Sequence, residues 1–336
     1  MTGATARTVE DKSMVNIDYR TLGTDGPLVS TVGLGCNNFG RQGTLTEQQE
    51  GTTAVLDAAI ELGVTLLDTA DMYGGAGTSE TLMGVALQGK RDAVVLATKF
   101  GHQDYDMGIL PGVPKGSRPY IREAIAGSLT RLQTDRVDLY QMHTPDPLTP
   151  IAETVAALDE LVAEGKILHY GHSNFSAAQI AEAAAAGGRF ISAQDEYSLL
   201  VRRVEADVLP AAREFGLGFL PYFPLQNGLL TGKFTRTEHP TDTRIMRQRP
   251  YLVENAPWDK LEAYAAFCEA SGITMLEATF GWMLAQPGLT SVIAGTTRPD
   301  QLAQNVAAST AWSPSAAEVQ QISEIFSRFV SECSLS

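Results

Sequence analysis

Short runs of apolar and β-branched residues alternate along this chain with longer stretches whose apolar positions recur at helical spacing. That alternation marks repeated βα units around a parallel sheet. Eight runs have strand length: residues 32–35, 65–68, 94–98, 137–142, 167–173, 191–197, 218–222 and 291–294. Ahead of them, residues 17–22 and 28–32 flank Thr24-Asp25-Gly26, a hairpin signal suited to plugging the floor of a barrel. Helix starts lie between the strands, where a side-chain oxygen before the first turn satisfies an otherwise unpaired backbone N–H. Thr46 with Gln49, Ser176 with Gln179, and Thr274 with Glu277 fit the capping box. Thr149-Pro150 predicts proline at a first helical position, where its missing N–H costs nothing. The alanine-rich residues 177–186 read as a helix closed by Gly187-Gly188, and two more helices are predicted at 299–308 and 314–329.

Eight strands with intervening helices also describe a doubly wound sheet, and the strand ends separate the two. Asp68, Lys99, His143, Ser173-Asn174, Gln194-Asp195-Glu196 and Tyr222 fall at or just past the C-terminal ends of successive strand candidates. In a barrel those ends share one mouth; in an open sheet the outer strands carry theirs away from it. The pattern therefore predicts an α/β fold, a (β/α)8 TIM barrel with an N-terminal β-hairpin and extra C-terminal helices. It forms one domain over residues 17–336 behind a disordered tail of residues 1–16. Connections 102–117 and 226–257 exceed ordinary loop length and follow strand C-termini, so both should overhang the mouth.

The mouth residues suit proton transfer coupled to hydride transfer. Tyr73 follows Asp68 in the loop, and Lys99 and His143 end the next two strands. A phenol with a reference pKa of about 10 is a poor acid at neutral pH and needs a neighbouring cation to favour the phenolate. Lys99 supplies that cation, Asp68 holds the lysine, and His143 orients or polarises a carbonyl oxygen. A strand-end Asp or Lys taken singly is more often a solvated or paired surface group. Four such groups on three consecutive strand ends are the signal.

These motifs resemble a known family. Asp68-Thr69-Ala70-x-x-Tyr73-Gly74 with Ser79-Glu80, Thr98-Lys99-Phe100, Asp138-Leu139-Tyr140-x-x-His143, Gly171-x-Ser173-Asn174-Phe175 and Gln194-x-x-Tyr197 are similar to the aldo-keto reductase pattern. So are Tyr222-x-Pro224-Leu225-x-x-Gly228-Leu229-Leu230-Thr231-Gly232-Lys233 and Gly295-Thr296-Thr297-Arg298-Pro299-x-Gln301-x-x-x-Asn305. The resemblance runs from about residue 18 to 309 and implies a reversible, NADPH-dependent carbonyl oxidoreductase with Asp68, Tyr73, Lys99 and His143 catalytic. It implies that Cys36, Asn37 and Asp68 face the cofactor, that Ser173, Asn174 and Gln194 hold the carboxamide, and that Tyr222 stacks on the nicotinamide. Pro224, Leu225, Gly228 and Lys233 then follow the pyrophosphate, and Gly295, Thr296, Thr297, Arg298, Gln301 and Asn305 take the adenosine phosphate. Phe39, Met72, His102 and Trp258 are candidate substrate-pocket residues, from their loops at the mouth. Two positions depart from the family: Phe223 stands where serine is common, and His172 where an apolar residue is common, so His172 reads as packing. Two alternatives stay open, an aldose or alcohol dehydrogenase working oxidatively with NAD(P), and a regulatory subunit like the potassium-channel β subunits. The resemblance gives those subunits a different residue at the histidine position, so His143 favours an enzyme.

Gly74-Gly75-Ala76-Gly77 looks like a dinucleotide fingerprint but lacks its glycine spacing and does not open directly from a strand. Arg236, Arg244, Arg247 and Arg249 either close over an anion or form a solvated loop. A net charge of -14 and a sequence pI near 4.8 argue against nucleic-acid or anionic-membrane partners and leave a small carbonyl or alcohol substrate. Cys36, Cys268 and Cys333 lack metal or disulfide spacing, so no metal is expected and a cytoplasmic location fits. No long apolar run predicts a membrane span, and the oligomeric state is left open.

Overall fold

A computed structural model describes residues 17–327. Strands β1 (Tyr19–Thr21) and β2 (Leu28–Ser30) pair antiparallel as the predicted hairpin. Eight parallel strands follow: β3 (Val32–Gly35), β4 (Leu66–Asp68), β5 (Val95–Phe100), β6 (Val137–Met142), β7 (Ile167–Ser173), β8 (Phe190–Glu196), β9 (Gly218–Tyr222) and β10 (Val292–Gly295). Their spatial order is β10-β3-β4-β5-β6-β7-β8-β9, so the last strand returns beside the first. The ring nearly closes between β9 and β10. There the Phe219 N–H donates to the Gly288 carbonyl at 3.0 Å and the Thr290 N–H to the Phe219 carbonyl at 2.9 Å.

Successive strand residues face opposite sides, and the ring turns this period of two into layers. Leu66, Ala97, Leu139, Ile191, Leu220 and Ile293 form one buried cluster with Leu22 and Val29 of the hairpin, which therefore plugs the floor. Two residues further along those strands stand Asp68, Lys99, Gln141, Tyr222 and Gly295. They share the inward face one layer nearer the mouth. The larger apolar cluster fills the space between strands and helices, with Leu34, Leu67, Leu96, Tyr140 and Phe219 from the outward-facing positions.

Several boundaries differ from expectation. Thr65 precedes β4: its N–H donates to the Ser30 hydroxyl and its hydroxyl accepts from the Ser30 N–H, at 2.9 Å each, while its carbonyl accepts the Val95 N–H at 2.8 Å. Ser176/Gln179 and Thr274/Glu277 form capping boxes, as does Ser315/Glu318, which the sequence reading overlooked. Thr46 is no cap: it lies in the 3-10 turn Leu45–Glu47 and its hydroxyl donates to the Asn38 carbonyl at 3.0 Å. Pro150 is the N-cap itself ahead of helix Ile151–Ala163, while the Thr149 hydroxyl donates to Asp146 at 2.7 Å. The alanine-rich helix spans Ala177–Ala185, and the last helices are Pro299–Ala311 and Ala316–Phe326. The predicted tail at residues 1–16 and the end of the 314–329 helix lie outside the described residues.

Both long connections have structure of their own. In 102–117, the Lys115 ammonium donates to the carbonyls of His102, Gln103 and Tyr105 at 2.6, 3.0 and 2.8 Å, which gathers the loop around one cation. Connection 226–257 contains the turn Gln226–Thr231 and the short helices Arg244–Gln248 and Tyr251–Glu254 over a small core of Leu229, Phe234, Ile245 and Val253. Among the described residues, no His/Cys/Asp/Glu group could hold a metal ion, and no helix is long and apolar enough to cross a membrane.

Candidate active site

The upper inward layer is a closed hydrogen-bond network. Lys99 Nζ donates to Asp68 Oδ2 at 2.6 Å, to the Thr69 carbonyl at 2.9 Å and to the Tyr73 hydroxyl at 3.3 Å, so all three ammonium protons are used. The other oxygen of Asp68 accepts from Gln141 Nε2 at 3.1 Å and Gln194 Nε2 at 3.0 Å. Desolvating an ion pair is offset only where the remaining lone pairs and protons are also satisfied, and here they are. The loop that carries Tyr73 is fixed by the Asp71 N–H on the Lys99 carbonyl at 3.1 Å and the Ser79 N–H on the Tyr73 carbonyl at 3.1 Å. Gly74 has φ 73, and a Cβ there would lie 2.6 Å from the Phe39 carbonyl. Only glycine fits that turn.

Burial dominates the titration of these groups. It raises the Tyr73 pKa, and the opposing pull of Lys99 does not restore it, so the expected stabilisation of phenolate is outweighed and the phenol keeps its proton. Burial acts against the charge of Lys99, yet Asp68 and Tyr73 together hold its pKa above the ordinary value, so it stays a cation. His143 is pushed well below the usual imidazole range by burial, then by Lys99 and His102, and is neutral. Its ring meets the Tyr73 ring edge-on at 5.8 Å and the His102 ring at 4.8 Å.

A cavity of about 1180 Å³ runs past this network, larger than the roughly 300–1,000 Å³ of a drug-sized site. Asp68, Met72, Tyr73, His102 and His143 line one end. Next come Ser173, Asn174, Gln194 and Tyr222, then Pro224, Leu225, Gly228 and Lys233, and finally Gly295, Thr296, Thr297, Arg298, Gln301 and Asn305. Asn174 adopts φ 62, rare for a side-chain-bearing residue. It is held there by donating to the His143 carbonyl at 2.9 Å and accepting from the Tyr222 hydroxyl at 2.9 Å. Such strain persists where the surroundings over-determine it. Left-handed backbone recurs at Phe223, Gln226 and Asn227, which turns the chain sharply along the cavity wall. A Cβ on Gly295 would lie 3.3 Å from the Asn38 amide and narrow the passage. An elongated trough with paired amides and hydroxyls at one end and a helix N-terminus at the other fits a nicotinamide dinucleotide.

Three predicted site residues are elsewhere. Cys36 is fully buried, its thiol bonding the Leu34 carbonyl at 3.5 Å. Phe39 is fully buried in the barrel-helix core, because the chain folds back after β3 with its N–H on the Cys36 carbonyl. Trp258 packs on the small core of the 226–257 connection and stacks on His239 at 5.8 Å. Arg236 is paired with Asp259 and Glu262 away from the cavity. His172 is buried and stacked on Phe175 at 4.4 Å, in keeping with a packing role. Gln141, Asn38 and Arg41 join the site without belonging to any of the sequence motifs. Gln141 was findable, since it has the parity of Leu139 on β6; Asn38 and Arg41 lie in a loop without periodicity.

The family model described as "Aldo/keto reductase family" matches residues 31–326. This chain belongs to the aldo/keto reductase family. It is 34% identical to aldo-keto reductase YhdN of Bacillus subtilis, over 94% of this chain and 96% of that protein. A probable voltage-gated potassium channel subunit beta of Oryza sativa is 32% identical, with coverage of 87% and 91%. Among solved structures, a holo-form aldo-keto reductase from Bacillus halodurans superposes with a TM-score of 0.76 at 32% identity, over 92% of this chain and 96% of that one. Family membership carries the barrel, a nicotinamide cofactor and oxidoreductase activity on carbonyl compounds.

Proposed function

We propose that the protein reduces the carbonyl of an aldehyde, ketone or sugar with NADPH, reversibly, and that Tyr73 is the proton donor. The observation that carries this reading is the meeting of the Tyr73 hydroxyl, Lys99, Asp68 and His143 at one end of a dinucleotide-sized cavity. NADPH, when bound, supplies hydride to the carbonyl carbon. The residues of the chain manage the oxygen. Neutral His143 donates a ring N–H to it, and Tyr73 gives it the phenolic proton as negative charge develops. Lys99, held cationic by Asp68, stabilises the phenolate that is left until solvent returns the proton. Ser173, Asn174 and Gln194 orient the carboxamide, Tyr222 backs the ring, and Met72 and His102 shape the substrate end.

NADPH is favoured over NADH because Thr297, Arg298 and Gln301 offer donors at the start of helix Pro299–Ala311. Arg298 shares its guanidinium with Asp300 at 3.2 Å, which weakens what it offers a 2′-phosphate and keeps the preference modest. Free, buried Cys36 and Cys268 suit a reducing cytoplasm. Spectrophotometric screening of NADPH oxidation against aldehydes, ketones and aldoses, with the reverse reaction, tests the activity; fluorescence titration of both cofactors tests the preference. Equal or tighter NADH binding with oxidation of sugars would favour the dehydrogenase reading. Cofactor binding without turnover of any carbonyl would favour a regulatory role.

A further inference from the structure

The arginines around the mouth divide into two sets. Arg236 and Arg247 are paired with acids, Asp259 and Glu262 for the first and Asp242 for the second. Arg41, Arg244 and Arg249 are half-buried and have no carboxylate partner among the described residues. Their partners are neutral. Arg41 donates to the Asn37 side chain, to the Asn37 carbonyl at 3.3 Å and to Gln248 Oε1 at 3.3 Å, and its Nε is buried with no partner. Arg244 donates to the same Gln248 oxygen at 3.2 Å and to Asn38 Oδ1 at 3.1 Å. Arg249 lies over the Phe223 ring at 5.6 Å. One amide oxygen thus serves two cations where an acid would be the ordinary choice.

The three are close enough to repel one another. Burial lowers the Arg244 pKa to about 10, with Arg41 and Arg249 adding to the effect, and burial followed by Arg249 lowers that of Arg41. For both arginines the one opposing influence is Tyr73. Asn37, the residue held by Arg41, lines the cavity together with Tyr73, so the cluster adjoins the end that carries the phenol. The cofactor's phosphates have donors of their own along the same cavity, in Lys233 for the pyrophosphate and in Arg298 and Gln301 at the adenosine end. Arg244 lines the cavity, and Asn37 and Asn38, which hold Arg41 and Arg244, line it too. In a chain with 39 acidic residues against 25 basic ones, three guanidiniums gathered without an acid impose a repulsion that a bound anion relieves.

We propose that Arg41, Arg244 and Arg249 seat an anionic group, carboxylate or phosphate, carried by the carbonyl substrate. This rests on the reductase reading and names its substrate class. The loop after β3 supplies Arg41 and the 226–257 connection supplies Arg244 and Arg249, the two joined through Gln248 and Asn38, so the connection selects substrate as well as lining the cavity.

The test compares matched aldehydes: succinic semialdehyde against butanal for carboxylate, and glyceraldehyde 3-phosphate against glyceraldehyde for phosphate. At low salt, kcat/KM should favour at least one anionic partner by tenfold or more, and which pair shows it identifies the anion. In Arg244→Gln and Arg249→Gln that ratio should fall about tenfold, with Arg244→Lys keeping part of it. A second measurement is independent of turnover: succinate or inorganic phosphate, titrated calorimetrically into the NADP+ complex, should bind the wild type and lose affinity in both Gln variants. An anionic preference near unity, with butanal reduced normally and no succinate or phosphate bound, overturns the seat and leaves the reductase reading intact. Anion binding that the variants abolish, in a protein that reduces no aldehyde, supports the seat and sinks the reductase reading. If the Gln variants weaken NADPH binding tenfold while the anionic ratio holds, the arginines serve cofactor phosphates and the proposal fails.

Discussion

The floor and the mouth of this barrel are built on the same strands two residues apart, and they differ in what burial does. At the floor, Leu66, Ala97, Leu139 and Leu220 close on Leu22 and Val29 of the hairpin as one apolar cluster. At the mouth, Asp68, Lys99 and Gln141 are as deeply buried, but each polar contact replaces water that had to be removed. Apolar burial stabilises in proportion to area, whereas the charged layer about breaks even and owes its retention to chemistry. The floor therefore carries stability and the mouth carries function, and mutations should separate them.

The largest effect is expected at Tyr73. Tyr73→Phe keeps the ring against His143 and deletes the proposed acid, so turnover should fall roughly 100- to 10,000-fold while NADPH affinity and melting temperature hold. Steady-state kinetics with a fluorescence titration decides it, and a variant that keeps most of its turnover would show that Tyr73 merely packs there. Lys99→Met strikes both functions of its layer. It removes the cation beside the phenol and leaves the Asp68 charge buried, which should cost about 3–5 kcal/mol of stability together with most of the activity. Adding Asp68→Asn should recover much of the stability and none of the turnover, as urea unfolding and assay of the double variant will tell.

Leu139→Ala tests the floor. Deleting a buried leucine there should cost about 2–5 kcal/mol with kcat and KM near wild type at a temperature where the variant stays folded. A large kcat loss in the folded variant would mean that the two layers are mechanically coupled.

The smallest effect concerns Asp71, whose two carboxylate oxygens are buried without a hydrogen-bond partner. Burial, followed by the neighbouring Glu80, raises its pKa to about 7. A raised carboxylate pKa means that the folded chain binds the proton more tightly than the unfolded one. The stabilisation is fully present below the ordinary carboxylate range and is lost as pH rises through about 7. Asp71→Asn should raise the melting temperature by a few degrees at pH 8, by less at pH 5 and least below pH 4, and so flatten the pH dependence between. Identical pH profiles for wild type and variant would place the titration elsewhere.

Much of this was legible beforehand because it is written at short range. Strand alternation follows from the backbone, so Asp68 and Lys99 had to point inward once Leu66 and Ala97 did. The Ser176 and Thr274 caps are three-residue signals, and the hairpin plug announced itself through Thr24-Asp25-Gly26. Two misplacements share a cause, since a residue of a mouth loop need not line the cavity: Phe39 turns back into the core and Trp258 serves the core of its own connection, whereas Thr46 has cap spacing yet bonds a carbonyl eight residues before it.

The sequence by itself determined the barrel and the polar strand ends that share its mouth, and through the resemblance of its motifs the family, because side-chain parity and motif spacing survive without knowledge of neighbours. Only the tertiary structure decided that Gln141 and Gln194 share Asp68, that burial outweighs Lys99 in setting the Tyr73 proton, and that Arg41 meets Arg244 and Arg249 with no acid between them. Those facts depend on ring closure, which brings together residues two hundred positions apart, and on burial, which each residue receives from its surroundings.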